Sequence, residues 1–323
     1  MNRQIPTIAI SSCLLGENVR FNGGHKRNPF CTDTIKQYMD IISFCPETAI
    51  GMGVPRKPIR IVQTSNTAPN RIKVCETDNP NTDYTSALYQ EGLGFEAKVP
   101  SISGFIGTGA SPSCALTSAK VYSDKGHPIA KGPGMFTKAL RDNNPLLPIE
   151  ENGRLNDTGI RESFINRVYT YHRWQQLQAE GLSARALVAF HSQHKYLIMS
   201  HSNTAYKTLG QLVAGLGKHQ IEQQAQEYIE ILMSTLSTVP SRGQQSNVLQ
   251  HLMGHLKKYT DKQEKQELLK SIIDFQKGIV PLIVPITLLK HHFSRHESDQ
   301  QYAIQQFYLA PHPYEMGLRS HIN

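Results

Sequence analysis

The sequence predicts an α/β N-terminal domain with a largely parallel sheet over residues 1–150, followed by an all-α C-terminal domain over residues 155–323. Three observations carry this reading. Short β-branched runs alternate with helical ones through the first half, the pattern of a parallel sheet with crossovers. A stretch rich in Gly, Pro and Asn spans 126–158 and reads as the end of the first domain plus a linker. From Arg161 onward Gly and Pro thin out, helical periodicity dominates, and 12 of the 14 histidines follow residue 154.

Taken in order, residues 7–14 (TIAISSCL) and 41–45 (IISFC) are brief apolar strands, each closed by a cysteine. Between them TDTIKQYM (32–39) reads as a helix with Thr32 or Asp33 as N-cap. Residues 83–97 have helical spacing, and 104–107 and 119–122 are further short strands. In the second domain the periodicity places helices near 161–178, 183–196, 202–213, 218–234, 245–259, 261–276 and 281–295, with a Pro/Gly/Ser break at 237–244. No internal repeat is evident.

The 323 residues are 39% hydrophobic and 19% charged, which excludes a disordered or fibrous chain. The longest apolar run, Ile279–Leu289, is broken by Pro281 and Pro285, so no membrane span is expected. The N-terminal apolar stretch is short and lacks a small-residue cleavage site, so the expected location is the cytoplasm. A net charge of +8 favours an anionic partner, nucleic acid being the commonest. The oligomeric state leaves no trace in the sequence.

The five cysteines are Cys13, Cys31, Cys45, Cys75 and Cys114. An odd number in a reducing compartment argues against a disulfide framework, and no CxxC pair is present. Taken singly, each reads as a buried thiol. Cys13 and Cys45 end predicted strands and Cys114 lies in a loop, where reactive groups of α/β sheets gather, so the three can converge on one crevice. Around Cys13 the text is CLLGENVRFNGGHK: Gly16, Gly23 and Gly24 permit close backbone approach, and Arg20, His25 and Lys26 can line it with positive charge. Glu47, two residues after Cys45, is placed to act as an acid or base, or simply to sit at a helix start. Ser111 and Ser113 flank Pro112 just before Cys114 and can donate to a sulfur or a substrate oxygen.

These three blocks together resemble the thiouracil desulfidase family (TudS-like), whose members read CLLGxxVRxDGGHK, then CPE with a PRxPxR stretch, then SPSCG. The match here is CLLGENVRFNGGHK, CPETAIGMGVPRKPIR and SPSCA, over roughly residues 5–150. The resemblance implies a [4Fe-4S] cluster on Cys13, Cys45 and Cys114, with one iron lacking a protein ligand and able to take a thiocarbonyl sulfur. It implies replacement of that sulfur by water with release of sulfide, served by Glu47 and by one of Ser103, Ser111 and Ser113. Asn22 stands where the family has Asp, Ala115 where it has Gly, and GTGA (107–110) replaces more basic residues. These departures bear on substrate fit. Cys31 and Cys75 match no family position and read as structural.

The second half resembles the YbgA-type helical domain through LVAFHSQHKYLIMSHS (187–202), NVLQHLMGHLKK (247–258) and IVPLIVPITLLKHHFSRH (279–296). The fusion is similar to the RudS type of desulfidase, which implies 4-thiouridine in tRNA as substrate and an RNA-binding helical domain. Candidate basic strips are His191, His194, Lys195 and His201; His251, His255, Lys257 and Lys258; and Lys290, His291, His292, Arg295 and His296. Zinc on His191 and His194 is the rival reading, but no carboxylate or cysteine nearby completes such a site. Tyr169, Tyr171 and Trp174 can stack bases but read more simply as core. Two alternatives stand beside the tRNA reading. One is desulfuration of free thiouracil bases. The other is a non-enzymatic iron-sulfur RNA-binding sensor, against which an open iron argues.

Overall fold

The computed structural model describes residues 5–64, 71–217 and 221–321. The chain divides into two compact units, Met1–Asn156 and Asp157–Asn323.

The first unit holds two four-stranded sheets. In chain order its elements are β1 (Thr7–Ser11), a π-helical turn (Phe30–Ile35) running into α1 (Lys36–Tyr38), β2 (Asp40–Phe44) and α2 (Pro46–Ala49). Next come β3 (Ile59–Thr64), β4 (Arg71–Glu76), α3 (Thr85–Leu93), α4 (Phe95–Lys98), β5 (Gly104–Gly107) and β6 (Ala119–Ser123). The unit ends with β7 (Pro128–Gly132), α5 (Met135–Asn143) and β8 (Ile149–Glu151). One sheet runs β2-β1-β5-β8 and is parallel throughout; the other runs β4-β3-β6-β7 and pairs antiparallel except between β3 and β6. Ile8, Ala9 and Ile10 of β1 are wholly buried, as a central parallel strand covered on both faces requires. Phe44, Phe95, Phe105 and Phe136 form an aromatic core with ring centroids 4.5–5.6 Å apart.

Two expectations for this unit are corrected. The helix expected to start at Thr32 or Asp33 begins at Phe30 instead: the Cys31 N–H donates to Asn28 Oδ1 (3.2 Å), the Thr32 hydroxyl donates back to the Asn28 carbonyl, and Asp33 pairs with Arg27. The stretch 126–158, expected to be a loop, contains β7, α5 and β8. Its Gly, Pro and Asn residues crowd the element ends. Met135, Phe136, Ala139 and Leu140 meanwhile supply α5 with a buried face. The strand β3 was not expected either, whereas Cys75 was expected in a strand or edge and lies in β4.

The second unit is helical: α6 (Thr158–Glu180), α7 (Ala184–His201), α8 (Asn203–Ala214), α9 (Ile221–Leu236), α10 (Arg242–His255), α11 (Lys262–Gln276), α12 (Ile283–Ser294) and the short α13 (Gln301–Ile304). The start of the expected 218–234 helix falls on residues 218–220, outside the described ones. Helix starts are written in the sequence. Asp157, Ser183 and Ser202 each accept from a backbone N–H three residues on, and Ser241–Gln244 and Asp261–Glu264 form capping boxes. Trp174 stacks on Tyr228 and meets Phe190 edge-on, so it is core. Tyr169 and Tyr171 are buried as well. No helix among the described residues is long and apolar enough to cross a membrane.

The histidine strips are also corrected. His194 is fully buried, stacked on Phe190 at 4.0 Å with Nδ1 on the Phe190 carbonyl. His201 is buried with Nδ1 on the Thr238 carbonyl. Burial pushes their pKa values down to about 3 and about 4, so both are neutral core groups at pH 7. His292 is buried too, His255 bonds the Tyr196 hydroxyl (2.8 Å), and Arg295 pairs with Glu264 (2.6 Å). Lys257, Lys258, Lys290, His251 and His291 remain exposed.

The buried histidines give this unit a pH-dependent stability. A histidine titrates near 6.5 when unfolded, so between there and about 4 the unfolded chain binds protons that the folded one refuses. Stability is therefore fully present above about pH 6.5 and is lost as pH falls, by up to about 1.4 kcal/mol per pH unit for each such group. Trp174, the one tryptophan, reports on this unit. Urea denaturation followed by its fluorescence should show a midpoint that drops steadily from pH 7 to pH 5; an unchanged midpoint would contradict the assignment.

Candidate functional site

Three loops bring three cysteines to the C-terminal end of the parallel sheet. β1 and β2 run in register, Ser11 opposite Phe44. Beyond them lie a 3-10 turn (Ser12–Leu15) carrying Cys13 and the residue Cys45 that leads into α2. Gly16 closes the first turn at φ 95°, a conformation that side chains disfavour. The Lys26 N–H then bonds the Cys13 carbonyl (2.8 Å), folding the intervening loop back over it.

Cys114 arrives by the loop after β5, and this loop is fastened from every side. The first N–H groups of α5 have no intrahelical acceptors, and the loop supplies them: Met135 donates to the Pro112 carbonyl and Thr137 to that of Ser113. The Ser111 Oγ accepts the N–H groups of Ser113 and Cys114, and Asn152 Oδ1 accepts that of Gly109. Glu151 Oε1 accepts those of Thr117 and Ser118. Burial alone would raise the Glu151 carboxyl, yet these donors hold it below the usual range. Two glycines permit the approach. A Cβ on Gly134 would lie 2.4 Å from the Ser113 carbonyl carbon, and one on Gly107 would lie 2.0 Å from the Cys114 oxygen.

Cys13, Cys45 and Cys114 line one pocket of about 240 Å³ together with Glu47, Arg20, Lys26, Arg56, Thr108 and Ser111. Burial raises the Cys13 thiol, and Cys45 adds to the rise. The Thr108 hydroxyl, 3.0 Å from the sulfur, opposes it, as do Arg20 and Lys26. Cys114 is pushed well above its ordinary value by burial, against a hydrogen bond from Ser11 and with Cys45, Glu47 and Cys13 all raising it. Three thiols thus sit within each other's electrostatic reach. Glu47 is held between two donors: Arg56 Nε reaches Oε2 at 2.8 Å, with Nη2 also paired at 2.5 Å, and the Ser113 hydroxyl reaches Oε1 at 2.8 Å. Both guanidinium nitrogens thus converge on one carboxylate oxygen in a part-buried, charge-assisted contact.

The donor set, three cysteine thiols on one pocket, is of the soft kind that an iron-sulfur cluster takes. The cations Arg20 and Lys26 offset the negative charge that three thiolates would bring.

Of the residues singled out from sequence, Glu47, Arg20, Lys26 and Ser111 line the pocket, and Ser113 touches Glu47 from a buried position. Ser103 does not line the pocket: it is fully buried at the opposite end of β5, where its N–H bonds the Thr7 carbonyl. His25 is exposed outside the pocket, its Nδ1 accepting from the Arg27 N–H. Cys31 and Cys75 are buried, and burial lifts the Cys31 thiol to about 12. Sequence reasoning missed Ser11, Thr108 and Arg56. Arg56 lies in the PRKPIR block and so carried a signal, whereas Thr108 lies in the GTGA stretch that departs from the family pattern.

The family model described as 2-thiouracil desulfurase matches residues 8–152, and that described as protein of unknown function DUF1722 matches residues 195–313. The Escherichia coli (strain K12) protein YbgA is 28% identical over 134 residues, covering 41% of this chain and 79% of YbgA. A solved structure of the [4Fe-4S]-dependent thiouracil desulfidase TudS is 25% identical, covering 47% of this chain and 94% of that one with a TM-score of 0.37. The chain therefore joins a region similar to the 2-thiouracil desulfurase family to a helical region similar to the DUF1722 family.

Proposed function

We propose that the first domain binds a [4Fe-4S] cluster through Cys13, Cys45 and Cys114 and replaces the sulfur of 4-thiouridine in tRNA by oxygen, releasing sulfide without net redox change. The observation that carries this reading is the shared pocket of the three cysteines with Glu47 in its wall. When bound, the cluster supplies an iron free of protein ligands, a soft site for a thiocarbonyl sulfur. Glu47 is the proton-transfer group: Oε2 is taken by both Arg56 nitrogens, while Oε1 accepts from Ser113 alone and keeps capacity for a proton or a water. Arg56 and Ser113 fix its orientation. Ser111, whose oxygen is occupied by two backbone donors, retains its own proton to give to a substrate oxygen. Thr108 and Ser11 donate to ligand sulfurs.

The helical domain is the RNA-binding part in this reading. Its support is a shallow open groove in which Lys195 stands 5.7 and 5.8 Å from the rings of Tyr206 and Tyr302, with Lys207 beside them. Cations interleaved with aromatic rings suit phosphates and bases. Exposed Lys257 and Lys258, at the end of α10, extend the charge. The family description, 2-thiouracil desulfurase, favours the free base as a second reading.

Anaerobic reconstitution should give about four irons and broad brown absorbance. Cys13→Ala, Cys45→Ala and Cys114→Ala should each abolish it, while Cys31→Ala and Cys75→Ala retain it. Loss in Cys75→Ala with retention in Cys114→Ala would overturn the ligand set.

Glu47→Gln should keep the cluster spectrum and lose about 10²-fold in turnover, the usual scale for a positioned acid or base. Near wild-type sulfide release by this variant would transfer the role to Ser111 or Ser113.

Lys257→Glu with Lys258→Glu should raise the KM for thiolated tRNA and leave turnover of free thiouracil unchanged, because uniform binding is lost and the chemistry is untouched. The slope of log affinity against log salt should fall by about two, one for each phosphate contact. Equal handling of tRNA by the variant and the wild type, with no salt dependence, would favour the free-base reading.

A further inference from the structure

The loop after Cys13 carries an aromatic ring that the fold itself does not call for. Arg20 to Gly24 close a tight turn: the Gly23 N–H donates to the Arg20 carbonyl (2.8 Å), and the Arg20 N–H donates to that of Gly24 (3.1 Å). Asn22 Oδ1 accepts the Gly24 N–H at 3.1 Å, and Gly23 takes the left-handed conformation, at φ 73°. A strut from outside the turn adds to this. The Arg56 N–H donates to the Phe21 carbonyl at 2.8 Å, and the Arg56 side chain pairs with Glu47. The backbone of Phe21 is thus held in place by the same segment that orients the pocket carboxylate.

Phe21 lines the cysteine pocket and is 40% exposed. The second position of such a turn accepts most residues, so the turn does not demand a ring. The core does not use it either. Phe44, Phe95, Phe105 and Phe136 pack on one another, and among the described residues no aromatic ring packs on Phe21. Its neighbour is a cation, the Arg20 guanidinium, which stands over the ring 5.6 Å from the centroid. Apolar surface left in water forgoes roughly 25 cal/mol per Å² of burial, so folding alone gives no return on this phenyl. An aromatic ring on a rigid backbone in a pocket wall, partly bare, is what a nucleobase stacks on.

We propose that Phe21 is the stacking platform for the pyrimidine ring of the substrate, holding it flat in the pocket with its thiocarbonyl toward the cysteines. The identity of the ring rests on the desulfidase reading of this pocket. Stacking adds a selection to that reading: a conjugated, planar ring is preferred to a puckered one with the same polar groups. The preference holds alike for a free base and for a base presented by tRNA.

The test is calorimetric titration of the anaerobically reconstituted full-length protein with uracil and with 5,6-dihydrouracil. The second keeps both carbonyls and both ring N–H groups but has lost the conjugated face. Neither can release sulfide, so binding is read apart from chemistry. Wild-type protein should bind uracil about tenfold tighter than the dihydro compound, the scale of one base–aromatic stack. Phe21→Leu should weaken uracil by about the same factor and move dihydrouracil less than about twofold, and Phe21→Tyr should restore the preference. On 2-thiouracil, Phe21→Leu should raise KM by that factor and lower kcat far less, with the cluster absorbance unchanged. Equal losses on the two ligands, an unaltered uracil affinity in Phe21→Leu, or no rescue by Phe21→Tyr would each overturn the proposal. A wild type that shows the ring preference yet releases no sulfide from any thiouracil would sink the desulfidase reading and leave the stacking role standing.

Discussion

The close approach of the 108–118 loop to β5 and α5 is the constraint on which the rest of the site depends. The loop can sit there only because Gly107 and Gly134 have no side chain, and it stays because it supplies the acceptors that the start of α5 lacks. Cys114 is thereby fixed beside Cys13 and Cys45, and Ser113 is fixed against Glu47. A parallel sheet delivers the other two cysteines without effort, since neighbouring strands end together. The third needs the fastened loop.

Once gathered, the thiols create an electrostatic problem that the surrounding residues answer. Burial and mutual repulsion both disfavour thiolates at Cys13 and Cys114. Hydroxyls from Thr108 and Ser11, and cations from Arg20 and Lys26, oppose that rise without cancelling it. A site of this kind releases protons on binding a soft metal centre and resists staying ionised without one. Glu47, next to the same thiols, is accommodated by its own arginine and serine, so the carboxylate and the thiols are served by separate partners.

Much of this was legible in the sequence. The cysteine-ended strands, the CPE turn and the SPSC loop are local patterns, and helix starts such as Ser241 and Asp261 follow from capping chemistry. What was not legible depends on tertiary contact. Helix α5 and strand β8 lie in a stretch whose Gly, Pro and Asn content reads as loop, and only packing of Phe136 into the aromatic core gives α5 its reason to form. Ser103 sits in the right strand at the wrong end. Thr108 belongs to the one stretch without a family counterpart, and its contact with Cys13 spans 95 positions of sequence.

The histidines of the helical domain show how the same letters carry opposite meanings. His191, His194 and His201 lie on one helix and read as a cationic strip, yet two of the three face the core, and their protonation is suppressed by the apolar surroundings that their helix needs. Charge on this domain therefore rests on lysine and arginine.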